Sequence, residues 1–166
     1  MGIDSPAYIT VVVLHIICVV VGFGGVILNG VYAARAQKLA PAEGLAVMEV
    51  NSFVSIKVAE IFVYLVPIFG FAAVGLSDKV YRVSTLWVWL SLVIYVVSLG
   101  ISHGLLIPRV KKMLALQRDL VATPPAGPAD ERIATVAGTG KQIGMFSTIL
   151  NLAFVVIIVL MVWKPV

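Results

Sequence analysis

The sequence predicts an all-α integral membrane protein, a four-helix bundle that forms one membrane domain over residues 1–166. Its composition is 61% hydrophobic and 12% charged, whereas soluble chains are about 45–50% apolar and about 25% charged. Stretches of about 18 or more apolar residues indicate membrane-spanning helices. Four such stretches cover about residues 7–30, 53–76, 86–107 and 145–163, and a cytoplasmic loop is predicted over 108–144.

The distribution of basic residues predicts the topology. Nine of the twelve lysines and arginines lie in the first and third connections, and three lie on the opposite side. Cytoplasmic loops carry an excess of basic residues, so both termini are predicted outside and these two connections in the cytoplasm. Trp87, Trp89 and Trp163 fall at the predicted outer interface, where tryptophan is enriched. The chain is therefore expected to be a multi-pass protein of a bacterial-type inner (plasma) membrane.

The first apolar stretch places a histidine inside hydrocarbon. An ionisable side chain there is a functional-site hypothesis by default. A helical rise of about 1.5 Å per residue puts His15 roughly 12 Å below the outer face and Ser91, on helix 3, at a similar level. A hydrogen bond between His15 and Ser91 is the simplest expectation. The glycines of the same helix favour close helix packing in lipid; they are Gly22, Gly24, Gly25 and Gly30.

A second polar group is predicted deeper in the bundle. Glu60 and His103 both lie roughly 24–25 Å from the outer face, and Asn151 lies near the same level. These three residues are expected to form a buried polar cluster, which acts as helix glue or as a proton or substrate site. A local ion pair of Glu60 with Lys57, three residues earlier, is the alternative. His15 and His103 differ in level by about 13 Å, so they do not bind one iron.

The remaining signals exclude several classes of function. Residues 109–120 read as an amphipathic basic helix on or leaving the inner membrane surface, followed by a proline-rich break. Cys18 is the only cysteine, which excludes an intrachain disulfide and a multi-cysteine metal site. No cysteine and histidine cluster has zinc-ligand spacing, so no metal is predicted. The basic residues match topology and anionic headgroups, so no nucleic-acid partner is predicted.

Short motifs spread over nearly the whole chain are similar to two related membrane families. They are Leu14-His15-Ile16-Ile17, Val19-Val20, Phe23-Gly24-Gly25, Met48-Glu49, Pro67, Trp89-Leu90, His103, Asn151 and Lys164-Pro165. This pattern resembles the small bacterial membrane protoporphyrinogen oxidases. It also resembles a related four-helix family in the copper-resistance-D-like group.

The resemblance implies a b-type haem with His15 as an axial ligand. It also implies a lysine as second ligand shortly after the helix 3 tryptophan, and Ser91 stands at that place here. A serine hydroxyl is a poor replacement for an amine on haem iron. In the fourth-helix Asn-Glu-x-Pro motif, Asn151 is kept while Leu152 and Phe154 replace the acid and the proline. The resemblance therefore implies a relative without the oxidase chemistry, with haem b as its candidate cofactor.

Three functions follow, and we rank them in this order. The first is a non-catalytic accessory or structural subunit of a membrane complex, whose partners are the lipid bilayer and other subunits or further copies of itself. The second is a haem-b redox protein that uses His15. The third is a small proton-linked transporter that uses Glu60, His103 and Asn151. We favour a protein without enzymatic activity.

Overall fold

A computed structural model describes residues 2–165, and within them the fold is all-helical. Residues 1 and 166, the ends of the predicted domain, lie outside the described residues. The α-helices are α1 (Pro6–Ile27), α2 (Asn29–Ala36), α3 (Pro41–Phe53), α4 (Glu60–Leu76), α5 (Leu86–Ile101), α6 (Ile107–Ala122) and α7 (Glu131–Trp163). Two π-helical turns, Val54–Ala59 and Ser102–Leu106, join α3 to α4 and α5 to α6.

These elements form four long helices, each with enough length and apolarity to cross a membrane. We call them span 1 (Pro6–Ala36), span 2 (Pro41–Leu76), span 3 (Leu86–Ala122) and span 4 (Glu131–Trp163). The prediction of an all-α membrane protein with four spanning helices is confirmed.

The spans are longer than the sequence predicts. They contain 31, 36, 37 and 33 residues, which makes them about 47 to 56 Å long against a hydrocarbon core of about 30 Å. Span 4 begins at Glu131 rather than near 145, and span 3 continues past Pro108. Pro108 follows the turn Ser102–Leu106, where the regular i→i−4 ladder is already interrupted, so the proline does not end the helix. The basic segment 109–120 therefore leaves the membrane as a continuation of span 3.

Span 1 packs along span 2, and span 3 packs along span 4. A Cβ added at Gly22 would lie 3.0 Å from the Val63 nitrogen, and one at Gly25 would lie 3.1 Å from the Ala59 Cβ. These two glycines let the helix axes approach closely, as predicted. Gly24 and Gly30 have nothing within 4 Å of an added Cβ, so they do not serve this contact.

A proline in span 2 leaves one backbone carbonyl without a donor, and a tyrosine of span 3 donates to that carbonyl. Pro67 has no N–H, so the carbonyl of Val63, four residues earlier, loses its helical donor. The Tyr95 hydroxyl donates to this Val63 oxygen at 3.0 Å. In hydrocarbon each unsatisfied backbone group costs several kcal/mol, so this bond joins the two helix pairs where a partner is needed most. The stacked rings of Phe23 and Phe154, with centroids 4.2 Å apart, link spans 1 and 4.

The helix ends that extend beyond the hydrocarbon form a second, smaller core. We call this end of the bundle, where α2, α3, α6 and the first half of α7 meet, the basic end. Its buried apolar residues are Ala36, Met48, Met113 and Leu114, with Ala33, Leu45, Val47, Val110, Val136 and Ile143 packed around them. A Cβ added at Gly44 would lie 2.6 Å from the Ala36 oxygen, so glycine is required where α2 and α3 fold together.

The proline-rich connection between α6 and α7 is fixed by charged side chains. Asp130 caps α7 by accepting a hydrogen bond from the Arg132 backbone nitrogen at 2.9 Å. The Arg132 guanidinium donates to Asp130 and also to Asp119 of α6, at 2.6 and 2.8 Å. The hydrogen bonds from Arg132 hold the pKa of Asp130 below its usual range. The cap therefore stays ionised near neutral pH, and α6 stays tied to α7.

The opposite end, where span 1 begins, span 4 ends and the turn 77–85 lies, is closed by aromatic contacts. Lys164 donates from Nζ to the Tyr81 hydroxyl at 2.9 Å. Tyr81 meets Trp87 edge to face, with ring centroids 5.5 Å apart. The Ser77 hydroxyl is fully buried and accepts from the Tyr81 nitrogen at 3.1 Å. We call this the terminal end.

The pairing of Tyr95 with the Val63 carbonyl predicts a coupled effect on stability. Tyr95→Phe is expected to lower the free energy of unfolding by about 1 kcal/mol, the scale of interhelical hydrogen bonds in membranes. In a Pro67→Ala background, residue 67 regains an N–H that can donate to the Val63 oxygen. Tyr95→Phe should then lower the free energy of unfolding much less. Unfolding by SDS in mixed micelles measures this double-mutant cycle. Tyr32→Phe, at an exposed tyrosine, is the control, and equal costs in both backgrounds would contradict the pairing.

Candidate functional site

His15 is held by the backbone of span 2. Its Nδ1 lies 2.9 Å from the Val66 oxygen, and a carbonyl oxygen only accepts, so Nδ1 carries a proton and donates. Gly70, one turn further along span 2, makes room for the ring. A Cβ there would lie 3.2 Å from the His15 Cε1. The structure thus fixes the orientation of the imidazole and directs Nε2 away from this bond.

The expected hydrogen bond between His15 and Ser91 is wrong. Span 1 packs against span 2 rather than against α5, so the equal depth of the two residues does not bring them together. Ser91 is 2% exposed, and its Oγ has no hydrogen-bond partner within residues 2–165. Depth arithmetic gives the level of a residue along a helix, but it does not give the side of the helix on which that residue lies.

Glu60, Tyr64 and His103 form the polar cluster of the membrane interior. The Tyr64 hydroxyl donates to Glu60 Oε1 at 2.9 Å. His103 Nε2 lies 2.5 Å from the same Glu60 oxygen and 2.6 Å from the Tyr64 oxygen. The structure therefore brings Glu60 and His103 together from spans 2 and 3, but the His103 side chain is 40% exposed, so the cluster is not the buried one that was expected. Tyr64 was missed by the sequence reasoning, although its place four residues after Glu60 puts both on one helix face.

The bond at the other ring nitrogen restricts the chemistry of His103. Its Nδ1 lies 3.0 Å from the Leu99 oxygen, which only accepts, so Nδ1 is protonated. The other ring nitrogen, Nε2, faces the Glu60 carboxylate and the Tyr64 hydroxyl. All three groups lie within hydrogen-bond distance, the geometry that proton transfer requires.

Both spans carry a π-helical turn at this cluster. Glu60 directly follows the turn Val54–Ala59, and His103 lies within the turn Ser102–Leu106. Such turns occur frequently at functional sites, because one inserted residue re-aims the side chains around it. The larger number of residues per turn in the π-helical segment Val54–Ala59 also explains why Glu60 does not pair with Lys57. Residues three apart across a π-helical turn do not share a face as they do in an α-helix, and the carboxylate turns to His103 instead.

The structure does not join Asn151 to the cluster. Span 4 packs against span 3 rather than against span 2, and within residues 2–165 Asn151 makes no hydrogen bond with Glu60 or His103. Its predicted place in the cluster is taken by Tyr64. As with Ser91, a compatible level along the helix did not bring the residue into contact with its expected partners.

The cluster lies inside the membrane, close to the basic end. Glu60 is sixteen residues from Leu76, about 24 Å along the helix, which is within a hydrocarbon core of about 30 Å. The side chains of Glu60 and His103 are 21% and 40% exposed at the side of the bundle. Ionisable groups at this level are costly unless they are paired, and each of these two is paired with the other.

Comparison with known proteins found one family model that matches the chain. A family model described as "Predicted integral membrane protein (DUF2269)" matches residues 9–165. The search of curated proteins found no match, and the search of solved structures found none either. The resemblance to the protoporphyrinogen oxidases and the copper-resistance-D-like group stays a prediction.

The contacts at the two histidines predict their tautomers. Nδ1 of both rings faces a backbone oxygen, so in the neutral form each proton should sit on Nδ1 with Nε2 free of one. Nitrogen-15 solid-state NMR of histidine-labelled protein in lipid distinguishes the two tautomers, and His15→Ala and His103→Ala assign the signals. A neutral ring protonated at Nε2 alone, at either position, would contradict the hydrogen bonds described above.

Proposed function

The chain belongs to this family of predicted integral membrane proteins, and we propose that it is a small proton-linked transporter with Glu60, Tyr64 and His103 as its proton site. One observation carries the proposal: the three side chains hydrogen-bond to one another across spans 2 and 3. Ionisable residues inside a membrane mark proton or substrate pathways. The position near the basic end gives the cluster a short route to water.

Protonation would change how spans 2 and 3 attract each other. With a proton at Nε2, His103 is a cation that donates to the Glu60 carboxylate, and the two spans are held together. Without it, Nε2 is an acceptor that faces carboxylate lone pairs, and Tyr64 alone supplies a donor. A proton that binds one packing of the two spans better than another shifts the population between them. That shift is the step to which movement of a substrate would be coupled.

Proton flux into liposomes tests this function. The protein is reconstituted with a trapped pH-sensitive dye, and a potassium gradient with valinomycin drives protons inward. Wild-type vesicles should acidify faster than protein-free vesicles, because without substrate the proposed proton site is expected to carry an uncoupled proton leak. In the Glu60→Gln, His103→Ala double variant, the acidification rate above that of protein-free vesicles should fall at least about tenfold, which is at the low end for a positioned proton-transfer group.

The matched control is His15→Ala, which removes the other intramembrane histidine and leaves the cluster intact. Its rate should remain close to wild type. An unchanged rate in the double variant, or a wild-type rate equal to that of empty vesicles, removes the proposal.

The placement and assembly of the chain are part of the proposal. The excess of lysine and arginine at the basic end supports an orientation with this end in the cytoplasm and both termini outside, in a bacterial-type inner membrane. The accessory or structural subunit ranked first from the sequence stays a prediction. The 40% exposure of the His103 side chain supports it, because a neighbouring subunit would shield this group from lipid.

Haem binding at His15 is the second candidate function, and one contact favours it. Histidines that ligate metals almost always donate their other ring N–H to a carboxylate, a backbone carbonyl or water. His15 donates from Nδ1 to the Val66 oxygen, which leaves Nε2 as the nitrogen that would hold the iron. The Ser91 hydroxyl does not suit iron as a second ligand. When bound, the haem would supply one-electron chemistry.

The visible spectrum of the purified protein tests this candidate. After expression with haem supply, wild-type protein and His103→Ala should show a Soret band, and His15→Ala should lose it. A wild-type spectrum without a Soret band would falsify haem binding and leave the proton site untouched.

A further inference from the structure

A cavity of about 480 Å³ opens between α6 and α7 at the basic end. It is lined by Pro108, Arg109, Lys112, Thr135, Gly138, Thr139 and Gln142. Two of these residues are cations, and none of the seven is acidic. The lining therefore combines positive charge with hydrogen-bond donors, which is the chemistry of an anion site.

The arginine of this cavity is held in place by neutral partners. Its Nε donates to Gln142 Oε1 and its Nη1 to the Leu105 oxygen, both at 2.8 Å. The guanidinium carbon lies 4.9 Å from the centre of the Phe146 ring. These contacts use two of the five N–H donors of Arg109 and leave its positive charge without a carboxylate to neutralise it. The positioned guanidinium keeps donors for an anion.

The cations of the cavity, unlike Arg118 and Arg132 at the same end, are not paired with carboxylates of the described residues. Arg118 pairs with Glu49 and Arg132 with Asp119, at 2.6 and 2.8 Å. Within residues 2–165 neither Arg109 nor Lys112 forms a salt bridge. The charge of this pair is therefore left uncompensated by the protein itself.

Two further side chains offer donors to the same space. Gln142 accepts from Arg109 through Oε1, so its amide N–H groups remain to donate. Thr139 is 8% exposed and lines the cavity. The Thr135 hydroxyl donates to the Glu131 oxygen of its own helix, so it contributes no donor. Four residues of the lining can thus offer donors to an anion: Arg109, Lys112, Thr139 and Gln142.

The cavity lies at the level of lipid headgroups. Arg109 is 23 residues from Leu86 and Gln142 is 21 residues from Trp163, about 34 and 32 Å along the helices, just beyond a hydrocarbon core of about 30 Å. One turn towards the membrane, Leu105 and Met145 are 38% and 53% exposed. An apolar surface therefore continues from the cavity into the hydrocarbon, where an acyl chain would lie.

We propose that this cavity binds the phosphate of an anionic phospholipid whose acyl chain runs along Leu105 and Met145. Basic pockets between helices at a membrane surface bind anionic headgroups. A zwitterionic lipid would add a cation of its own, for which the lining holds no carboxylate. Free inorganic phosphate shares the headgroup chemistry but cannot use the apolar surface.

Thermal unfolding of the full chain in detergent tests the site. Titrations use phosphatidylglycerol, phosphatidylcholine and inorganic phosphate, and the rise in Tm with ligand gives an apparent Kd. Phosphatidylglycerol should stabilise the wild-type protein most. The Arg109→Gln, Lys112→Gln variant should bind it about 30-fold more weakly, since each basic residue near an anionic surface contributes about fivefold. Lys79→Gln, Arg82→Gln, which removes the same charge at the terminal end, should bind as wild type does.

Thr139→Val keeps the side-chain shape and removes one donor, so it tests the site even if the double variant fails to fold. It should weaken phosphatidylglycerol binding several-fold. Unchanged binding in Thr139→Val or in the folded double variant overturns the proposal, and so does equal stabilisation by phosphatidylcholine. Stabilisation by inorganic phosphate that matches phosphatidylglycerol would assign the site to free phosphate instead of lipid.

Discussion

The hydrogen bonds that span 2 makes with both of its neighbours hold the membrane part of this protein together. Tyr95 of span 3 donates to the Val63 carbonyl, which Pro67 leaves without a helical donor. His15 of span 1 donates to the Val66 carbonyl three residues later. In lipid there is no general hydrophobic force between helices, so hydrogen bonds and close packing decide which helices associate. Span 2 supplies both, because Gly22 and Gly25 of span 1 close against its surface. The geometry of the candidate sites follows from this arrangement.

The two intramembrane histidines consequently have different characters. Both rings donate from Nδ1 to a backbone oxygen, and for His15 this is the only hydrogen bond within the described residues. His103 shares Nε2 with Glu60 and Tyr64, two side chains whose hydrogen bonds depend on where a proton sits. The first arrangement suits a ligand that must stay rigid, and the second suits a switch. The π-helical turns support this division, since both occur at His103 and Glu60.

The membrane-spanning helices could be predicted from the sequence, because hydrocarbon imposes a long apolar helix. The helical ends beyond the hydrocarbon and the contacts between particular side chains could not. Hydropathy located four spans because only a helix satisfies every backbone group in a single membrane segment. The start of span 4 was placed near 145 because the preceding residues are polar. They are helical nonetheless, since Val136 and Ile143 pack against the core around Met113 beyond the membrane. Helical rise placed Glu60 and His103 at one level, but their meeting also needed the rotation that the π-helical turns introduce. Ser91 and Asn151 had suitable levels, but neither forms a hydrogen bond with its expected partners within the described residues.

The proposed proton site and the proposed lipid site share one segment of span 3. His103 lies in the turn Ser102–Leu106, and the guanidinium of Arg109 donates to the Leu105 oxygen of that same turn. A π-helical turn is a rare, local departure from the α-helix, so its persistence depends on side chains that satisfy its carbonyls. Arg109 does this through the Leu105 oxygen, and His103 ties the turn to the preceding helix α5 through the Leu99 oxygen. An anion bound by the remaining donors of Arg109 would leave its bond to the Leu105 oxygen in place. Because His103 lies in the same turn, occupation of the proposed lipid site would help to hold this ring beside Glu60.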